Sequence, residues 1–497
     1  MKMPLRTFPF FLPALPVFFV LHGYRENLGY IHAGDALLLS GIYVLGSLLV
    51  FLAFRLLYRH TVKAALAAGF VLAFYFFFGA LHDFLQAHVR LLSRYVILLP
   101  AFLAAAAALV IALGRTGRDL RRLVVYLNVL FLIYIGIDLA GVVFPARRPR
   151  PPAFGSAASG DTIRFLPYSG RAKPDIYFLV FDAYTSSLAL KEQYHFDNGA
   201  FDRFLASRGF RIQKASRSNY KYTILSIPSI LNMAYLDRLR DIKGGEVAEY
   251  YYLSDLIRDN DLLAWLRANG YDIVNCSIFD LRGHPSPVGQ SLLPLQTRLI
   301  TDQTLYSRFY RDIGWNFYRF TIDPLAEREI DRSLDNDNQL MGRLLAASAR
   351  RSARPRFFYG HFNIPHPPYY YDREGRRRKV AAPYRPTDED SVQDYLDYLP
   401  YTNQRAEQLI DRILRNSGGQ AVIIFMGDHG LRYHDSLGYN PLSFVQNQNA
   451  VYFPGGDYHL FYDSISGVNQ FRVILNSLFA QRIPMLKDSI ANVKDKK

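Results

Sequence analysis

The sequence predicts two parts of unlike class: an α-helical transmembrane bundle of five spans, then an α/β domain whose central, mostly parallel sheet is covered by helices on both faces. Three observations carry this reading. Five apolar stretches crowd the first 145 of 497 residues, short apolar strands alternate with amphipathic helical segments after Pro174, and the last well-formed strand runs straight into Gly427-Asp-His-Gly430. The division expected is a membrane domain over 1–145, a linker over 146–172 and an extracytoplasmic domain over 173–497.

The apolar stretches fall at roughly 7–23, 36–57, 63–82, 95–114 and 122–144. Four approach the length of about 20 residues that a spanning helix needs. The first is shorter and carries Pro9, Pro13 and Pro16; no small-x-small cleavage site follows it at His22-Gly-Tyr-Arg-Glu, so it reads as a retained span and not as a signal peptide. Lys2, Arg6, Arg55, Arg59, Lys63, Arg115, Arg118, Arg121 and Arg122 fall on one side of the spans, and Arg25, Arg90 and Arg94 on the other. The positive-inside rule puts the N-terminus in the cytoplasm and, after five spans, the remainder outside. That makes a multi-pass protein of a bacterial cytoplasmic (inner) membrane with a periplasmic domain. Asp138 lies in the fifth span near its outer end, where it is either a functional candidate, as an ionisable residue in a span is by default, or a side chain that reaches the interface.

The net charge of +15 suits an anionic surface or substrate, and no nucleic-acid motif accompanies it. A single cysteine, Cys276, excludes an internal disulfide framework and a cysteine-rich zinc site; in the strand-like run 271–279 it reads as a small buried hydrophobe. Residues 145–170, rich in Pro, Arg, Gly and Ser, read as an irregular linker whose Arg147, Arg148 and Arg150 can meet lipid phosphates.

Beyond Pro174, strands are expected at 175–181, 271–279, 356–361, 421–426 and 450–453. Helical faces are expected from Leu256, Leu262, Leu263 and Leu266, and from Ala406, Leu409, Ile410 and Ile413. Ligands of such sheets collect at the carboxyl ends of the strands, and four stretches supply chemistry suited to that edge. Asp182 ends the first strand, where it is either a ligand or a helix N-cap. Thr223, with Ser226 and Pro228 following, stands at a helix start, either as a plain cap or as a hydroxyl set in a positive field that suits an anion. His361 and His366 bracket a proline-stiffened loop, suited to donating to phosphate oxygens or to protonating a leaving group. Asp428 and His429 form a carboxylate and imidazole pair competent to hold a divalent metal.

Taken in order, the acidic strand end, Thr-x-x-Ser-x-Pro, His-x4-His-x-Pro and Gly-Asp-His-Gly resemble the alkaline phosphatase superfamily. The resemblance is to its membrane-anchored, sulfatase-like branch, which includes lipoteichoic acid synthases, phosphoglycerol transferases and phosphoethanolamine transferases. It covers residues from about 174 to 479. It implies a metal held by Asp182, Thr223, Asp428 and His429, Thr223 as nucleophile, and His361 and His366 on the substrate side. One divalent ion, Zn or Mn, suits the mixed oxygen and nitrogen donors. The sequence departs from the pattern in places. Thr223 replaces the Cys or Ser of formylglycine sulfatases, and Ile230 stands where their Arg would be counted from Ser226. Pro441 stands where phosphoethanolamine transferases have an extra histidine, His434 being the nearest imidazole, and the disulfides of that subgroup are missing, which leaves a second metal without its ligand.

The implied activity moves a phosphoethanolamine- or phosphoglycerol-type group from a phospholipid donor to an envelope glycan or glycolipid through a Thr223 ester. The alternatives are a phosphodiesterase or sulfatase-like hydrolase, and a non-catalytic lipid sensor gripping head groups through Arg147–150 and Arg376-Arg-Arg-Lys379. Neither the donor, the acceptor nor the oligomeric state is written in the sequence.

Overall fold

The structure is a computed structural model that describes residues 8–28, 31, 33–144, 163–168, 170, 173–236, 239, 245–288, 297–314, 324–378, 389–432 and 440–491. Lys2, Arg6, Lys379, His434 and most of the expected linker, with Arg147, Arg148 and Arg150, lie outside these residues. The chain divides into two compact units, Met1–Pro149 with Ser291–Phe317, and Arg150–Gln290 with Tyr318–Lys497.

The first unit contains α1 (Phe11–Glu26), α2 (Ala33–Tyr58), α3 (Thr61–His88), α4 (Tyr95–Arg115) and α5 (Arg121–Val143). Helices α2 to α5 have the length and hydropathy to cross a membrane. With 16 residues, α1 spans only about 24 Å, less than a hydrocarbon core of about 30 Å. It packs against α2, α3 and α5, and Phe11, Leu12, Leu15, Phe19 and Val20 are buried there. Its start is tied to α5 by Asn128, which accepts the Phe11 N–H at 2.7 Å and donates to the Phe8 carbonyl at 2.7 Å. Asp138 is 2% exposed, bound by the Arg25 guanidinium and lying 3.2 Å from His22 Nδ1.

The second unit is built on one six-stranded sheet of β1 (Ile176–Phe181), β2 (Arg211–Ile212), β3 (Asp272–Cys276), β4 (Arg356–Phe362), β5 (Val422–Met426) and β6 (Asn449–Tyr452), in the order β2-β6-β5-β1-β4-β3. β5, β1, β4 and β3 are parallel; at one edge β6 runs antiparallel to β5, and β2 antiparallel to β6. The five longer strands agree with expectation to within a few residues; two-residue β2 is too short to show a period.

Because strand side chains alternate faces, β1 feeds two cores. Tyr177, Leu179 and Phe181 pack under α6 (Ser187–Tyr194), α7 (Gly199–Ser207), α13 (Pro324–Ser348) and α14 (Glu389–Ser417). Ile176, Phe178 and Val180 pack under α8 (Thr223–Asn232), α10 (Asp261–Ala268) and α15 (Gly467–Phe479). Helices thus cover both faces. The face expected from Ala406, Leu409, Ile410 and Ile413 lies on α14, entirely in the first core. The face expected from Leu256 to Leu266 is divided. α9 (Gly245–Arg258) ends before Asn260, whose side chain caps α10 by accepting the Leu263 N–H at 2.9 Å, and Leu256 joins a separate cluster. Cys276 is fully buried, and burial pushes its thiol up to about 12.

Candidate metal and ester-transfer site

The three middle strands bring the predicted residues together. Asp182 follows β1, His361 lies near the end of β4 beside it, and Asp428 and His429 follow β5 on its other side, with Val180 in register with both His361 and Met426. Asp182 caps no helix: its N–H bonds the Phe362 carbonyl at 2.9 Å, and Ser186 is the cap of α6. Ala183 takes a left-handed φ of 60° and donates its N–H to Asp428 Oδ1 at 3.0 Å. Such backbone strain in a non-glycine residue persists where the surroundings over-determine it. Glycine is required on both sides of Asp428-His429 by close approach: a Cβ at Gly427 would lie 2.4 Å from the Tyr184 carbonyl oxygen, and one at Gly430 would lie 2.0 Å from that of Ser443.

Thr223 is the first residue of α8, not its cap. Tyr222 occupies the cap position in extended conformation, and the Thr223 hydroxyl is turned instead to Asp182 Oδ1 at 3.5 Å and His429 Nε2 at 3.2 Å. Ser226 is spent on the fold, donating to the Tyr220 carbonyl at 2.8 Å while 1% exposed. His429 Nδ1 lies 2.8 Å from the Gly430 carbonyl, which can only accept, so Nδ1 carries the proton and Nε2 the free lone pair. That nitrogen lies 3.6 Å from Asp182 Oδ1 and 3.5 Å from Asp428 Oδ2.

These separations test the fit of a cation. Donors about 2.0–2.2 Å from a tetrahedral ion stand about 3.3–3.6 Å from one another, and the four distances around Thr223, Asp182, His429 and Asp428 run from 3.2 to 3.6 Å. Asp428 Oδ2 is buried without a hydrogen-bond partner, as a ligand atom would be. A divalent ion therefore suits the donor set. Burial outweighs the nearby Asp428 and Asp182 carboxylates and lowers His429. Burial works against ionised Asp182, but His366, His361 and His429 outweigh it and hold this carboxyl well below the usual range.

Ligand atoms of Asp182, His361 and Asp428 also gather within 4.8 Å of one another. Hydrogen bonding gives His361 a different character. The buried Tyr359 hydroxyl lies 3.0 Å from His361 Nδ1, and donating its proton there leaves the imidazole N–H on Nε2, 3.8 Å from Asp182 Oδ2. His361 then presents a donor to the site. His366 is half-buried, and its Nδ1–H donates to the Pro367 carbonyl at 2.8 Å.

Five residues here escaped the sequence reading. Tyr359 was legible in principle, two places before His361 on one strand face. Ala183 and Asp337, the latter bonding the Asn363 N–H from α13 at 2.8 Å, carry no local signal. Arg432, three residues past His429, lies with its guanidinium 4.7 Å from the centre of the Tyr222 ring, whose centre is also 5.2 Å from the Lys221 ammonium. Two cations thus flank the residue before Thr223, an arrangement that favours an anion. Within the run from Arg376, Arg376 pairs with Asp372 and Glu374, and Arg378 with Asp394 and Asp397.

An α/β domain with acids, a helix-initial hydroxyl and imidazoles on one sheet edge defines an alkaline-phosphatase-like enzyme, here joined to apolar helices fit to anchor it in a membrane. The sulfatase family model matches residues 190–471, more than half of the chain, and the chain belongs to that family. No curated protein matches it significantly. Three of the solved structures that it resembles are the following. The C-terminal periplasmic domain of EcEptC from Escherichia coli in complex with Zn is 11% identical, over 67% of this chain and 94% of that one, with a TM-score of 0.39. The C-terminal periplasmic domain of phosphoethanolamine transferase EptC from Campylobacter jejuni is 15% identical over 64% and 92%, with a TM-score of 0.37. The lipoteichoic acid synthase LtaP from Listeria monocytogenes is 11% identical over 71% and 79%, with a TM-score of 0.35. At these scores the likeness is one of outline.

Proposed function

We propose that this chain is a membrane-bound phosphotransferase that carries a phospho-alcohol group, of phosphoethanolamine or phosphoglycerol type, from a phospholipid to an envelope glycan or glycolipid. The observation that carries the reading is the Thr223 hydroxyl, free of any capping duty and within 3.5 Å of both Asp182 and His429. Asp182, Thr223, Asp428 and His429 would hold the divalent ion, Zn or Mn, which when bound supplies Lewis-acid polarisation and eases loss of the hydroxyl proton.

In the first step Thr223 Oγ1 bonds to phosphorus and the bond from phosphorus to the diacylglycerol oxygen breaks. The leaving oxygen takes a proton from His366, and the Thr223 proton has an acceptor at hand in the Asp182 carboxylate, which returns it when the Thr223 oxygen leaves. In the second step an acceptor hydroxyl attacks phosphorus, its proton passes to His366, and the Thr223 oxygen departs reprotonated. His361 Nε2–H, Lys221 and Arg432 hold the phosphoryl oxygens, whose charge grows during transfer. Residues 1–145 act as the membrane domain, 146–172 as linker and 173–497 as the catalytic domain, with the N-terminus cytoplasmic and catalysis on the outer face of a bacterial inner membrane.

The test is Thr223→Ala in the full-length protein reconstituted with a phospholipid donor. Loss of at least a thousandfold in turnover is expected, with a phosphothreonine ester at 223 recoverable from wild type by mass spectrometry. Wild-type turnover in the variant would end the proposal. Donor cleavage without a modified acceptor would convert it to a phosphodiesterase.

A further inference from the structure

A stretch that the sequence places between β3 and α13 belongs to the first compact unit. It comprises α11 (Arg298–Thr301), α12 (Leu305–Phe309) and a π-helical turn at Tyr310–Gly314. Its seat on the apolar helices is built by two glycines. Ile300, 1% exposed, covers Gly23 of α1, where a Cβ would come within 2.9 Å of its Cγ1. Gln303 crosses α3 at Gly79: its carbonyl accepts the Gly79 N–H at 2.8 Å, and a Cβ at 79 would lie 2.9 Å from its Cα. One turn along α3, Arg308 grips Asp83 through both guanidinium nitrogens at 2.8 and 2.7 Å, and Tyr95 of α4 donates to Asp312 at 2.7 Å.

Helix geometry sets the depth. Asp83 lies about 30 Å along α3 from Lys63, one hydrocarbon thickness. The Arg308–Asp83 pair therefore falls at the membrane–water boundary opposite Lys63, and the Gln303 crossing falls about one turn inside it. Non-helical backbone at that depth needs its carbonyl satisfied by protein, which Gly79 does. Around the pair, Tyr306 is 65% exposed, Tyr310 41% and Phe84 58%, with the two tyrosine rings stacked 6.1 Å apart. Tyrosines with an apolar ring and a polar tip collect at such a boundary.

We propose that residues 298–314 form an interfacial element whose Tyr306 and Tyr310 rest among the phospholipid head groups of the leaflet opposite Lys63, so that the catalytic chain enters the lipid interface a second time, independently of the linker. This rests on α2 to α5 being spans, not on the enzymatic reading.

The buried, lone Cys276 leaves room for single nitroxide labels. The labels are attached to Tyr306→Cys and, separately, Tyr310→Cys in the full-length protein, reconstituted in phosphatidylethanolamine/phosphatidylglycerol vesicles. Collision rates with oxygen and with a water-soluble nickel chelate are then compared by power saturation. Both sites are expected to favour oxygen several-fold relative to Arg415→Cys on α14, approaching Phe84→Cys on α3. A ratio at 306 and 310 equal to that at 415 overturns the proposal, whether or not the variants retain activity.

Discussion

Tyr359 and His361 stand two residues apart on one face of β4, with the tyrosine hydroxyl 3.0 Å from His361 Nδ1. Burial, with Asp428 and Asp182 nearby, holds that phenol well above its ordinary value, so it remains a donor to Nδ1 and places the imidazole N–H on Nε2. Tyr359→Phe removes the bond while keeping the ring. Nitrogen-15 shifts of His361 are then expected to show the Nδ1–H form appearing, and turnover to fall about tenfold, the usual scale for one oriented hydrogen bond. Metal content should stay at the wild-type level. A His361 spectrum unchanged by Tyr359→Phe would show that the phenol does not set the tautomer.

Asp428 buries one carboxylate oxygen without a hydrogen-bond partner. An unpaired buried acceptor costs about 1–3 kcal/mol, more when charged, and a cation relieves it. Stripping metal with a chelator is therefore expected to lower the melting temperature of the wild-type protein by several degrees. Asp428→Asn should melt at or above the stripped wild type and show no response to chelator. A chelator-sensitive Asp428→Asn would mean that the stabilising ion sits elsewhere.

Asp337, on α13, keeps Oδ1 on the Asn363 N–H and leaves Oδ2 buried without a hydrogen-bond partner. Burial raises this carboxyl to about 7; the Asn363 hydrogen bond, His361 and Arg405 pull it down, and Asp182 pushes it up. Tyr398 also faces it. The folded state thus holds a proton that the unfolded chain releases near pH 4. Its contribution is fully present below that point, is lost as pH rises to about 7, and is flat beyond. By the standard conversion the loss is on the order of a few kcal/mol. Asp337→Asn keeps an acceptor for Asn363 and removes the titration, so denaturant midpoints should show the variant gaining on wild type between pH 4 and 7. A constant difference over that range would contradict the assignment.

The sheet was legible because its strands are short apolar runs ended by polar residues: the change at Phe181-Asp182 and at Met426-Gly427-Asp428 marks both the strand end and the site. Thr223 was legible through Pro228, which dates the helix start. Three features were not. The half-sites Asp337 and Ala183 owe their position to tertiary contact, β2 is too short to show a period, and residues 298–314 belong with the apolar helices through two glycines distant in sequence. The partners of Asp138 were not legible either, because hydropathy reports depth along a span but not which way a side chain faces.

That buried carboxylate yields the last prediction. Asp138 and Arg25 join α5 to α1, and the guanidinium lies across Gly141, where a Cβ would come within 2.7 Å of Arg25 Cδ. Asp138 is buried while Arg25 is part-exposed, so removing Arg25 strands a buried charge, at a cost of up to about 3–5 kcal/mol, whereas replacing both by apolar residues of similar volume is often neutral. Arg25→Leu alone is therefore expected to lower the thermal stability of the detergent-solubilised protein sharply, and Arg25→Leu with Asp138→Leu to recover most of the loss. The same order should hold when α1 mobility is read from cysteine accessibility at Phe18, since an unpaired Asp138 draws water between the helices. A double variant no more stable than Arg25→Leu alone would mean that His22, 3.2 Å from the carboxylate, and not Arg25, is the partner that keeps Asp138 in place.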